Sequence, residues 1–177
     1  MEASKRTRKL TQTAMLAGLY AAITFATFFM SFGAIQFRVS EALTILPVFT
    51  ATAVPGLSLG CALANLVGFF AGVNPTGWLD AVFGTSATLL AALLTRRLGK
   101  DGPLWRKCLL APLPPVLLNA LIVGLELAFA FGPMNLPGFL SYALSVGIGQ
   151  AVICYGLGVP LLLALSRKAL YQKIFRE

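Results

Sequence analysis

"GAIQFRVSEALTILPVF", residues 33–49, breaks into an otherwise greasy chain. Gln36, Arg38, Ser40 and Glu41 fall close together there, and apolar residues dominate on both sides. A soluble loop would sit among polar neighbours. This one joins two apolar runs, so it reads as a short connection between membrane-embedded helices that carries functional polar groups.

The rest of the chain supports that reading. It is 58% hydrophobic and 11% charged, where a soluble domain has about 25% charged residues. Its mean hydropathy is +0.83. Several apolar runs approach or exceed the roughly 20 residues needed to cross a bilayer core. They are continuous rather than alternating, which argues against the strands of an outer-membrane barrel. The fold class expected is an all-α integral membrane protein, a single domain over residues 1–177. Six membrane helices are expected, at about residues 10–32, 41–54, 57–72, 78–98, 108–131 and 139–166. Pro55-Gly56 and the stretch from Asn74 through Gly77 serve as turn signals between them. The first run is too long for the apolar stretch of a cleavable signal.

The net charge of +8 does not point to nucleic acid, because the basic residues cluster at the ends of apolar runs. Such clusters set orientation. With six spans, 13 of the 14 Lys and Arg residues fall on one side and Arg38 alone on the other. Both termini are therefore expected in the cytoplasm. The chain has no histidine, so histidine catalysis and histidine metal sites are excluded. Cys61, Cys108 and Cys154 are far apart and read as buried free thiols. No metal or cofactor is expected, and no phosphate-binding glycine loop is present that could power transport by this chain itself.

Polar residues inside the spans are the functional candidates, since ionisable groups in a bilayer are costly and usually face a cavity or a partner. Asn65, Asn119 and Gln150 lie well within spans, and Glu41, Asp80 and Glu126 lie near the outer ends of theirs. Asn119 and Glu126 are seven residues apart and share a helix face. A pocket opening outward accounts for this set; hydrogen bonding between helices is the plainer alternative, for Asn65 above all. On the first helix, small residues recur at Ala14, Gly18, Ala22 and Ala26, with Ala17 and Ala21 on an adjacent stripe. This spacing allows close approach of another helix, either within the bundle or from another subunit.

The stretches "FRVSEALTILPVF", "PGLSLGCALANLVG", "GWLDAVFGTSATLLAALLTRRL" and "LAPLPPVLLNALIVGLEL" together resemble the QueT family over residues 7–165. These are substrate-binding subunits of energy-coupling-factor (ECF) transporters for queuosine precursors. The resemblance implies a six-helix subunit in the bacterial plasma membrane that captures a 7-deazaguanine compound such as preQ0, preQ1 or queuine. It also implies partners, namely a transmembrane coupling protein and two ATPases that hydrolyse ATP, so that this chain is not itself an enzyme. The small stripe on the first helix resembles the face such subunits present to the coupling protein. In the segment "VGIGQAVICYGLG" the family often carries an acid where this chain has Gln150, and a neutral amide suits a neutral ligand group better than an ammonium. The alternatives are an ECF subunit for another vitamin-like molecule and a standalone secondary transporter; the inverted repeats and broken helices that would favour the latter are not visible. An intramembrane enzyme built on Asp80 and Glu126 lacks any supporting motif.

A deazaguanine ring offers an N–H and an NH2 side by side, which a carboxylate accepts as a bidentate pair. Its carbonyl needs a donor such as Asn or Gln, and its faces need aromatic or apolar walls. Glu41, Asp80 and Glu126 are the candidate carboxylates, with Glu41 the first choice. Asn65, Asn119 and Gln150 are the candidate amides. Phe32, Phe37, Trp78 and Tyr142 are the candidate walls. Arg38, three residues before Glu41, is expected to pair with it locally and hold it ionised.

Overall fold

The computed structural model describes residues 2–32 and 36–167. These residues form helices α1 (Glu2–Ala26), α2 (Phe28–Ser31), a 3₁₀ segment (Val39–Val48), α3 (Ala53–Phe70), α4 (Trp78–Gly99), α5 (Leu104–Leu110), α6 (Leu113–Phe131) and α7 (Leu136–Ile153), then a π-helical turn (Cys154–Gly158) and α8 (Val159–Leu165). No strand occurs among the described residues. Four stretches are long and apolar enough to cross a membrane: Ala53–Phe70, Trp78–Gly99, Leu104–Phe131 and Leu136–Leu165. The architecture is that of a membrane helical bundle.

Local chemistry explains the boundaries. The chain turns at residues 49–52, not at Pro55-Gly56 as expected. Pro55 instead lies in the first turn of α3, where its missing N–H has no helical partner to lose. Gly77, at φ +62, precedes α4, and Pro112 separates α5 from α6, with Pro114 in the first turn of α6. Asn135 caps α7 by accepting the Gly138 N–H at 2.8 Å. Pro160 cannot donate to the carbonyl four residues back, and its ring crowds that carbonyl. The wider π turn immediately before it relieves both problems.

The helices pack through small residues. A Cβ on Gly60 of α3 would meet Tyr20 Cβ at 2.7 Å and the Ala17 carbonyl oxygen at 2.8 Å. One turn earlier, a Cβ on Gly56 would meet Leu16 at 2.9 Å. Glycines spaced by four on α3 thus seat the inner face of α1. On the other side of the bundle, a Cβ on Gly124 of α6 would meet Ala143 Cα at 2.7 Å, and one on Gly147 of α7 would meet Ala120 at 3.3 Å. In the middle runs the 3₁₀ segment, touching α1, α3, α4, α7, the π turn and α8. Nine of its ten residues are buried. Ile45 and Leu46 join Tyr20, Leu57, Cys61 and Leu162 in the main apolar core. Outward-facing leucines on α3, α4, α6 and α7 stay exposed, as expected of side chains that meet lipid.

Candidate functional site

Six parts of the chain send polar side chains into one buried region beside that core. α1 supplies Tyr20 and Thr24, one turn apart, and α3 supplies Cys61 and Asn65 at the same spacing. The connection after α2 supplies Gln36 and Arg38, and the 3₁₀ segment supplies Ser40 and Glu41. The turn after α3 gives Asn74 and Thr76, and α4 gives Asp80 and Thr88. All twelve of these side chains are buried.

Two hydrogen-bonded groups organise the region. The first centres on Asp80, in the first turn of α4, where the helix dipole favours a carboxylate. Arg38 Nη2 meets Asp80 Oδ2 at 2.8 Å, and Asn74 Nδ2 donates to the same oxygen at 3.1 Å. Asn65 Nδ2 donates to the Asp80 carbonyl at 2.7 Å, tying α3 to the start of α4. The Arg38 guanidinium lies 5.6 Å from the Phe32 ring centroid, within cation–π range. The second group centres on Glu41. Tyr20 Oη donates to Glu41 Oε1, and the Thr88 hydroxyl lies 3.4 Å from both that oxygen and Cys61 Sγ. Thr24 and Ser40 hydroxyls bond to each other at 2.7 Å.

Arg38 therefore pairs with Asp80, 42 residues away, and not with Glu41 as the local spacing suggested. Arg38 lies just before the 3₁₀ segment with extended backbone, φ −82° and ψ 93°, so the helical spacing that would set it beside Glu41 does not apply.

Several buried polar atoms have no hydrogen-bond partner: Arg38 Nε, Glu41 Oε2, Asn65 Oδ1, Asp80 Oδ1, Thr85 Oγ1, and both carboxylate oxygens of Glu126. Each such atom carries a desolvation penalty of about 1–3 kcal/mol. Most are acceptors, so what would satisfy them is a molecule rich in N–H or O–H donors. Glu126 lies within interaction range of the Asp80 and Arg38 charges and of the Thr76 hydroxyl, so α6 turns its acid toward the Asp80 group and away from lipid.

The other expected site residues divide. Asn119 is buried, but its Nδ2 donates to the Pro115 carbonyl at 2.9 Å within its own helix. Gln150 is buried near the second group, where Cys154 Sγ lies 3.6 Å from its Oε1. Phe37 is half-buried, and Tyr142 is half-buried with its hydroxyl 3.3 Å from the Gly132 carbonyl. Trp78 does not join them: its side chain is 60% exposed on the outer surface. It is two residues from Asp80, about 200° around an α-helix, so the burial of Asp80 sends Trp78 outward. Tyr20, Thr24, Asn74, Thr76 and Thr88 are not among the site residues expected from the sequence. For Tyr20 and Thr24 the sequence held a signal, a polar pair spaced by four inside an apolar helix.

The small residues of α1 lie on two faces. Ala17 is buried and Ala21 half-buried, toward the bundle. Ala14, Gly18, Ala22 and Ala26 are exposed, and a Cβ added to Gly18 would meet nothing within 4 Å. Among the described residues nothing packs on Gly18 of the outer stripe. Among the described residues no three His, Cys, Asp or Glu side chains gather as a metal site.

A family model described as QueT transporter matches residues 10–167. The protein named Queuosine precursor transporter QueT from Lactococcus lactis subsp. cremoris (strain MG1363) is 32% identical over 102 residues. That match covers 54% of this chain and 56% of the relative, so the chain spans little more than half the length of this curated protein. No solved structure matches the chain.

Proposed function

This chain belongs to the QueT transporter family, and from that premise we propose that it is the substrate-binding subunit of an ECF-type transporter that imports a queuosine precursor of the 7-deazaguanine type. The observation that carries this reading is the set of buried, unpartnered acceptors on Glu41, Asn65, Asp80 and Glu126. A deazaguanine has the complementary edge: adjacent N–H and NH2 donors and a pyrrole N–H. Arg38 Nε and the Thr85 hydroxyl supply donors for its carbonyl, and Phe32 and Phe37 are available as walls beside the polar groups. The name of the Lactococcus relative agrees with this ligand class.

In this reading the chain crosses the plasma membrane six times, with both termini in the cytoplasm. α1 and the buried 3₁₀ segment are spans in addition to the four long apolar stretches. The ligand enters from outside and is held by binding alone. The chain carries no cofactor and hydrolyses no ATP; that falls to two partner ATPases acting through a coupling protein docked on the exposed Ala14, Gly18 and Ala22 stripe. A stripe of small residues left exposed among the described residues suits such docking.

Isothermal titration of the purified subunit against the nitrile, the aminomethyl compound, queuine and the nucleoside tests the ligand class. Binding of at least one is expected, and failure of all four overturns the reading. Gly18→Leu is expected to abolish co-purification with the coupling module while leaving ligand affinity unchanged; wild-type yield of the complex would remove the docking role. In a cysteine-free background, cysteines at Asn135 and Lys100 are expected to label from opposite sides of the membrane, and labelling from one side would sink the six-span topology.

A further inference from the structure

Three acids and one base are buried together in this bundle, and they are not equivalent. Asp80 is ion-paired through one oxygen: Oδ2 receives Arg38 at 2.8 Å and Asn74 at 3.1 Å, while Oδ1 is unpartnered. Glu41 is half committed, because Tyr20 and Thr88 hold Oε1 while Oε2 is unpartnered. Glu126 differs from both. It is 2% exposed, yet neither of its oxygens has a partner.

Its neighbours explain why the chain itself does not satisfy it. Arg38 directs Nη2 to Asp80 and Nη1 toward Cys61 Sγ at 3.7 Å. The Thr76 hydroxyl donates to Asn74 Oδ1 at 2.8 Å. Asn119, on the same face of α6, spends its Nδ2 on Pro115. The terminal nitrogens of Arg38 and the Thr76 hydroxyl are thus engaged elsewhere, and Arg38 Nε, itself unpartnered, makes no hydrogen bond to Glu126. Buried carboxylates left wholly unpaired are rare and call for a missing partner.

We propose that Glu126 is the specificity-determining carboxylate of this transporter, both of its oxygens accepting the adjacent N–H and NH2 of the ligand ring, while Glu41 contributes a single acceptor, Oε2, to another donor of the same ligand. This rests on the ligand class proposed above and goes beyond it by assigning the base-reading edge. A carboxylate with two free oxygens accepts a fork of two parallel donors. Glu41 offers one free oxygen, and Asp80 already receives the Arg38 guanidinium. The Arg38–Asp80 pair then acts as a positioning element, fixing the connection after α2 against the start of α4 beside the ligand.

Titration of wild type, Glu126→Gln and Glu41→Gln with 7-deazaguanine and with 7-deazahypoxanthine, which lacks the exocyclic amine, tests the assignment. Wild type is expected to prefer 7-deazaguanine. Glu126→Gln sets a donor against a donor, so 7-deazaguanine affinity is expected to fall about 30- to 1000-fold and the preference to vanish. Glu41→Gln is expected to weaken both ligands while keeping the preference. A Glu126→Gln protein that binds within about threefold of wild type, or keeps its preference, overturns the assignment while the ligand class stands. Failure of wild type to bind either ring overturns both. If Glu126→Gln yields no folded protein, Glu126→Asp decides: the shortened fork is expected to weaken 7-deazaguanine more than the analogue, and equal losses overturn the proposal.

Discussion

The 3₁₀ segment and α6 are both rich in apolar residues and each carries one buried glutamate, yet they solve opposite problems. The 3₁₀ segment is surrounded by protein, with nine of its ten residues buried. Its apolar side chains are core, packed against α1, α3 and α8. α6 is divided lengthwise. Leu117, Leu121, Leu125 and Phe129 recur every four residues on an exposed stripe, while Asn119, Val123, Glu126 and Leu127 face inward. Apolar composition therefore means interior in one element and lipid contact in the other. The glutamates divide in the same way: Glu41 has a partner from α1, and Glu126 has none from anywhere among the described residues. The segment enclosed by protein is built to be held, and the helix at the edge of the polar region is left with capacity to hold something else.

The comparison breaks most visibly at Asp80. Asp80→Asn leaves the buried Arg38 guanidinium without its ion-pair partner just before the 3₁₀ segment. Removing one member of such a pair costs about 3–5 kcal/mol, and a large drop in the thermal unfolding midpoint in detergent is expected. Glu126→Gln removes an acid with no partner and is expected to leave the midpoint unchanged or raise it. Equal losses for the two variants would erase the distinction. Ile45→Ala, at a fully buried 3₁₀ position, is expected to cost about 2–5 kcal/mol by opening a cavity, read in the same unfolding assay. The smallest effect is expected at Leu121, 54% exposed on the outer stripe of α6. Leu121→Ala is expected to change stability by about 0.5 kcal/mol or less, and a loss matching that of Ile45→Ala would show that the stripe is packed rather than lipid-facing.

Much of this was legible in the sequence, and the rest was hidden for identifiable reasons. Apolar run lengths gave the helical class, and the stretch from Asn74 through Gly77 gave a turn, because Gly at positive φ and Asn are turn chemistry. Pro55 misled because proline is at home in a first helical turn as well as between helices. The 3₁₀ character of residues 39–48 was not readable, because a short apolar run carries no period that separates one helix type from another. The buried acids were found from their cost in a bilayer. Their partners were not, since pairing across 42 residues is decided by tertiary packing. Trp78 shows the limit of depth alone: proximity to the outer end of α4 says nothing about rotation around it. The two-residue offset from Asp80 already contained that answer.

The bare outer face of α1 also limits how this protein can be studied. A side chain grown from Gly18 enters open space, so assays of expression, melting or ligand capture should be blind to changes there. A selection that rewards only a well-behaved isolated chain would let this face drift toward bulk without warning. Under the proposed docking role, a change there becomes measurable only in capture of the coupling module or in transport across a living membrane.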